Sequence, residues 1–470
     1  MASLLHLPNE LSAVILSQVH PRDWLSLGRT CKELRTKTAH LVTDFFFRKR
    51  VVMIERRSLH CLESIAGTAS LGKFVEELDI CTSHLLPLDE VEDIEPPDDE
   101  YEGMMKYLMQ KNDPDAILDL GLKSDYEQWI RRWPINNGED EFSDEDEQDD
   151  HYGQDGQPTD RAVSEDDKVA KSRLEQINTQ EYNRYRHDQD DMMRTSHDVK
   201  CLARAMRNLV GCRKINISTS IHAWGLRRLR KQIGILPQRA LTFKSSASIR
   251  QVHHIVQVVL AAIAVSGIAV QCLDIEPGTS VENANRISPS MLLGPSSSVI
   301  LSHHFPTSLR QLQISLDPGS LPDNTAPSRA WGQDFIQFVS LLPELSTLDL
   351  GFECRDEEGR FSEIAKELYI PQLKSITLYM VDTTKEDIAI FLLSHHRTLR
   401  TVVLNSIRLE GDLSAWRWLV TTIWRSLDLD EFSILSSWVA EKDGNFASSD
   451  IQDITITDSA SYSEAVQALE

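Results

Sequence analysis

The sequence predicts an α/β fold in which parallel strands stack through repetition of a strand–turn–helix unit, and three observations carry the prediction. The pattern apolar-x-x-apolar-x-apolar recurs at intervals of 26 to 39 residues through the second half of the chain. Apolar helical stretches such as "HIVQVVLAAIAV" from His254, "DFIQFVSLL" from Asp334 and "AWRWLVTTIW" from Ala415 lie between the copies. The net charge of -23 sits almost wholly in one segment, so the rest of a 470-residue chain that is 41% apolar is close to neutral and long enough to bury a sizeable core.

The first element is a helix beginning near Pro8, where proline's fixed φ and missing N–H are tolerated. Leu11, Val14, Ile15 and Val19 recur on one face, and His20-Pro21 ends it. A second helix follows Asp23, with Trp24, Leu27, Cys31 and Leu34 at helical spacing. Leu16 and Leu25 lie off these stripes. Two short helices that are apolar on more than one face need a partner surface besides each other. A secretory signal does not fit, because no basic region precedes the apolar run and Pro8, Asn9 and Glu10 interrupt it.

The stretches "LPNEL", "VILSQV" and "DWLSLGRTCKEL" resemble, in order and spacing, an F-box, the adaptor-binding motif of substrate receptors in cullin-based SCF ubiquitin ligases. The resemblance covers Leu5 to about Leu41, and it departs at Trp24, where the family more often has leucine. It implies a three-helix F-box over residues 1–50 that binds a Skp-family adaptor and, through it, a cullin. Carried over residue by residue, it places Leu7, Pro8, Leu11, Ile15, Leu16, Val19, Leu25, Leu27 and Cys31 against the adaptor. The plain alternative makes these residues the core of a small helical cap. Similarity to F-box proteins with irregular C-terminal leucine-rich repeats, especially fungal ones, would cover the remainder.

Residues 51–88 read as a linker helix and a first repeat, "VEELDIC" at Val75. Residues 89–190 read as an acidic, largely disordered insertion: between Asp89 and Asp167 stand 28 acidic and 6 basic side chains. Like charges at that density repel one another and leave too little apolar area to offset the entropy of ordering. Apolar anchors from Tyr101 to Pro134, Trp129 and Trp133 among them, suggest a docking element within it, and Ser143 and Ser164 precede acidic residues as acidophilic kinases prefer.

Residues 191–470 form the repeat region. Val199, Leu202, Met206 and Leu209 mark a helix, and copies of the pattern start at Cys212, Gln238, Val270, Leu309, Leu345, Leu373 and Leu399, the first positions at Cys212 and especially Gln238 being degenerate. A unit that cannot bury its own apolar face stacks on its neighbours, which gives a leucine-rich-repeat-like solenoid with parallel strands and helices. The alternative is a compact α/β domain. Strand alternation turns Gln311, Gln313 and Ser315 away from the core, together with Thr347, Asp349, Ser375, Thr377, Tyr379, Thr401, Val403 and Asn405. Gln313, Asp349, Thr377, Tyr379 and Asn405 are the expected substrate-binding residues.

The sequence carries no phosphate loop, dinucleotide fingerprint, nucleophile elbow or His-Glu-x-x-His motif. The pairs His253/His254, His303/His304 and His395/His396 read as helix-boundary histidines, since adjacent helical residues do not share a face. The cluster Arg48–Arg50 lacks stacking aromatics and reads as a solvated helical face. Residues 252–270 are the best membrane-spanning candidate, but His253, His254, Gln257 and Ser266 interrupt them and a buried helix fits better. Seven cysteines without a Cys-x-x-Cys pair argue against disulfides and zinc and favour the cytoplasm or nucleus. The expectation is a non-enzymatic receptor without metal, cofactor, nucleic acid or membrane, holding an adaptor and a substrate protein. The alternative is a non-ligase interaction scaffold that uses the F-box or the acidic insertion.

Overall fold

The computed structural model describes residues 11, 14–16, 18–19, 21–91, 177–218, 225–235, 237–238, 245–276, 287–292, 308–316, 331–352, 361–440 and 449–469. Leu7, Pro8, His303, His304, the anchors between Tyr101 and Pro134 with Trp129 and Trp133, and both candidate phosphosites lie outside them. The chain divides into two compact units, one made of Met1–Arg48, Pro87–Asn183 and Trp224–Leu236, the other of Lys49–Leu86, Arg184–Ala223 and Pro237–Glu470.

In the first unit, helices α1 (Pro21–Thr30) and α2 (Lys32–Phe47) pack against each other across Cys31, whose extended backbone breaks the helical run. Gly28 permits the close crossing, since a Cβ there would lie 3.3 Å from Thr38 Oγ1 and 3.6 Å from Arg35 Cα. Trp24 is 6% exposed, and its indole N–H donates to the Leu16 carbonyl at 2.7 Å. The bulk that departs from the family pattern is therefore accommodated inside the unit, with its one polar atom satisfied.

The second unit is built on a ten-stranded sheet in the order β1 (Lys49–Met53), β2 (Glu77–Cys81), β3 (Lys214–Ser218), β4 (Cys272–Glu276), β5 (Gln311–Ser315), β6 (Thr347–Gly351), β7 (Ser375–Tyr379), β9 (Thr401–Asn405), β11 (Glu431–Leu435) and β14 (Ile454–Ile456). Neighbours follow chain order with no switch point, and every pairing is parallel except that of β14 with β11. Copies of the repeated pattern supply β2 to β7 and β9. Their first positions, Val75, Cys212, Val270, Leu309, Leu345, Leu373 and Leu399, are at most 1% exposed.

One backbone device recurs at seven successive steps, from β2 to β11. The carbonyl before a strand accepts two successive N–H groups of the next: Glu76 from Arg213 and Lys214, Arg213 from Gln271 and Cys272, Gln271 from Arg310 and Gln311. Arg310 does the same for Ser346 and Thr347, Ser346 for Lys374 and Ser375, Lys374 for Arg400 and Thr401, and Arg400 for Asp430 and Glu431, with all distances between 2.8 and 3.2 Å. Identical hydrogen bonding along the array fixes a common register.

After β7, β9 and β11 the chain turns through Met380, Ser406 and Ser436, all in left-handed conformation (φ 56°, 55° and 46°). Each turn leads into a short strand of a second sheet, β8 (Asp382–Thr383), β10 (Arg408–Glu410) and β12 (Trp438–Ala440), which β13 (Ser449–Asp450) completes. Helices follow the strands. The longest, Ser246–Ser266, starts at Ser245, whose hydroxyl accepts the Ser248 N–H, and ends at Gly267 (φ 69°). It is long and apolar enough to cross a membrane, yet 72% of its apolar window is buried within the protein.

Several expectations change. The helix Thr179–Thr195 begins inside the span 89–190 assigned to the insertion, because Tyr182 and Met192, each 2% exposed, give it a buried face. The copy at Gln238 supplies no rung, since β3 pairs directly with β4 and Gln238 instead forms an isolated antiparallel bridge with His84. Residues Arg48–Arg50 do not form a helical face: Lys49 and Arg50 open β1, where Arg50 stands in register with Leu78. His253 and His254 lie mid-helix rather than at a boundary.

Candidate functional site

Two surfaces emerge, one in each unit. On the first, Leu11 (54% exposed), Val14 (63%) and Ile15 (45%) present apolar side chains to solvent from a helical segment. Val19, Leu27 and Cys31 are half-buried. Leu16, expected against the adaptor, is fully buried, and its carbonyl accepts the Trp24 indole N–H. Leu25 lies in α1, and Val14 was not among the predicted contacts although its helical spacing with Leu11 was legible.

On the second, the sheet face opposite the apolar core carries the predicted substrate-binding residues. The central row runs in register through Val51, Asp79, Asn216, Asp274, Gln313, Asp349, Thr377, Val403 and Ser433. Gln313, Asp349 and Thr377 are therefore adjacent and half-buried, and Asn405 lies at the next row beside Tyr379. Tyr379 does not project outward as an anchor. Its ring lies across Gly351, where any Cβ would overlap it, and its hydroxyl meets that of Ser315, which is 2% exposed and so does not point to solvent as alternation implied.

At the β1–β3 end the same face holds a charged network that the sequence reading did not assemble. Lys49 Nζ lies 2.9 Å from Glu77 Oε1 and 3.2 Å from Asp79 Oδ2, while Ser218 Oγ donates to Asp79 Oδ1 at 2.9 Å and Asn216 Nδ2 to Glu77 Oε1 at 2.5 Å. Burial works to raise the Glu77 carboxyl, but the hydrogen bond and charge of Lys49, with Lys214 and Asn216, hold it below its ordinary value. For Asp79 burial wins, and its pKa is raised. Cys272 is pushed up to about 11 by burial, Lys214 opposing and Asp274, Asp349 and Glu77 adding to the rise. Applying alternation to the copies at Val75, Cys212 and Val270 would have found Glu77, Asp79, Lys214, Asn216, Ser218, Cys272 and Asp274, but not Lys49, which lies on β1 outside any copy.

The nearest arrangement to an acid–base pair is His254 Nε2 with Asp198 Oδ2 at 2.5 Å, Asp198 being fully buried. It borders a small polar cavity with His84, Gln189 and Gln251. Among the described residues no group of three or more His, Cys, Asp or Glu is placed to hold a metal ion.

These features define a mixed α/β protein with a helical N-terminal region and a largely parallel sheet, which offers an exposed apolar helix face and a polar sheet face. The helical region is an F-box: the family model of the F-box domain matches residues 4–41. No curated protein matches the chain.

Proposed function

We propose that the protein is the substrate-recognition subunit of an SCF-type cullin E3 ubiquitin ligase, with the F-box holding a Skp-family adaptor and the sheet of the second unit holding a substrate protein. The observation that carries this reading is the F-box match over residues 4–41, in which Leu11 and Ile15 are exposed and ready to be covered. The second unit reads as a leucine-rich-repeat solenoid; the monotonic strand order and the seven-fold repetition of one hydrogen-bonding step support it. The protein itself catalyses nothing. Tethering raises the effective concentration of substrate lysines near the charged ubiquitin carrier, and the other subunits carry out the transfer. The reading places it in the cytoplasm or nucleus, apart from nucleic acid and membrane.

The test is co-purification with adaptor and cullin. Truncating apolar anchors at such an interface costs about 2 kcal/mol or more each. Leu11→Ser with Ile15→Ser should therefore abolish adaptor capture, as should Leu7→Ala with Pro8→Ala, while thermal unfolding of the second unit is unchanged. Wild-type capture by both variants would refute the assignment.

A further inference from the structure

We infer that the part of the sheet face formed by Asn216, Asp274, Gln313 and Asp349 is a subsite for a lysine or arginine side chain of the substrate polypeptide, an inference that rests on the receptor reading above. These four residues occupy adjacent strands in one register row. At about 4.8 Å per strand the row spans roughly 14 Å, enough for one long cationic side chain and its neighbours.

Three observations point to a cation. First, Asn216 is 6% exposed and its amide orientation is fixed by donation from Nδ2 to Glu77, yet its Oδ1 accepts no hydrogen bond. A buried carbonyl oxygen left without a donor is costly, and a donor arriving with a ligand removes that cost. Second, Asp349, half-buried two strands beyond Asp274, makes no ion pair among the described residues. Third, the two rows of this face across β1 to β6 carry the carboxylates of Glu77, Asp79, Asp274 and Asp349, and the ammonium group of Lys49 is engaged by Glu77 and Asp79.

The cations Arg213, Arg310, Lys374 and Arg400 stand at the strand starts, three residues before the central row of their strands. That is about 10 Å along the strand, close to one screening length at physiological salt. The central row therefore selects positive charge, and a phosphorylated or acidic segment would meet repulsion there.

The full chain bound to its adaptor can be titrated, by fluorescence anisotropy, with three labelled Gly-Ser peptides carrying three arginines, three glutamates or three phosphoserines. The arginine peptide should bind, and Asp274→Asn with Asp349→Asn should weaken it at least tenfold without changing adaptor binding. Unchanged arginine-peptide affinity in that variant, or tighter binding of either anionic peptide, would overturn the inference. In parallel, a photo-crosslinking amino acid at Gln313 reports polypeptides captured in cells. Crosslinked segments rich in Lys or Arg, lost in the double variant, support the subsite. Crosslinked segments without basic residues defeat the subsite alone, whereas no crosslinked polypeptide at all, with the adaptor still bound, defeats the receptor reading.

Discussion

His84 is held neutral by its surroundings. It is 1% exposed, its Nδ1 lies 2.6 Å from the Thr82 carbonyl and its Nε2 lies 2.9 Å from the Ser248 hydroxyl. The carbonyl can only accept, so Nδ1 carries the proton and Nε2 accepts from Ser248. Burial lowers its pKa to about 4, against the hydrogen bond to Thr82, from an ordinary 6.5. The unfolded chain then binds the proton more readily than the folded one between those values, so stability is full above pH 6.5 and falls as the pH drops toward 4. The gap corresponds to about 3 kcal/mol. Melting temperature should decline over that window in wild type and decline less in His84→Gln; parallel pH profiles would contradict this account. Nothing in the sequence around His84 signals this role, because its partner Ser248 is 164 residues away.

The β6–β7 pair shows what one missing side chain does for an element. Gly351 leaves room for the Tyr379 ring to lie along the sheet and reach Ser315 across two strands. Gly351→Ala should push the ring outward and break that bond, at a cost of about 1 kcal/mol. The loss should largely vanish when Tyr379 is already alanine, and a double-mutant cycle on thermal unfolding would read the coupling. Additive effects would mean that the ring does not depend on the glycine. Strands of this kind were legible wherever apolar residues filled the first, fourth and sixth places. β1 was not, because Arg50, 4% exposed and lowered to about 10 by burial, sits where its neighbour has Leu78. β11 also fits the pattern, as "LDEFSI" from Leu429, whereas β8 and β10, of two and three residues, are too short to show a period. On the face itself the row from Gln313 to Thr377 was readable by alternation. The inward lie of Tyr379 was not, since it depends on a glycine one strand away.

For the molecule as a whole, residues on either side of the acidic span are clasped together. Gln189 accepts the Leu85 N–H at 2.9 Å and donates to its carbonyl at 3.1 Å, and Arg56 pairs with Asp188 at 2.6 Å. Leu85 and Gln189 are thus joined by direct contacts, and the closure entropy of a segment between two fixed points grows only as the logarithm of its length. Deleting Glu139–Asp167 should leave the melting temperature within a few degrees of wild type; a large drop would reveal that these residues are packed.

The antiparallel β14 has a further role as a terminus. Parallel strands added in one direction make a template that any further strand of like direction could extend, including one from another molecule. β14 is three residues long and reversed, and helix Ser459–Ala468 follows it, so growth stops there. Removal of residues 449–470 would bare the five-residue β11 as a growing end. Light scattering of the truncated protein should then rise with concentration, as for a polymer whose chain stopper has been taken away, while the intact protein stays at constant mass.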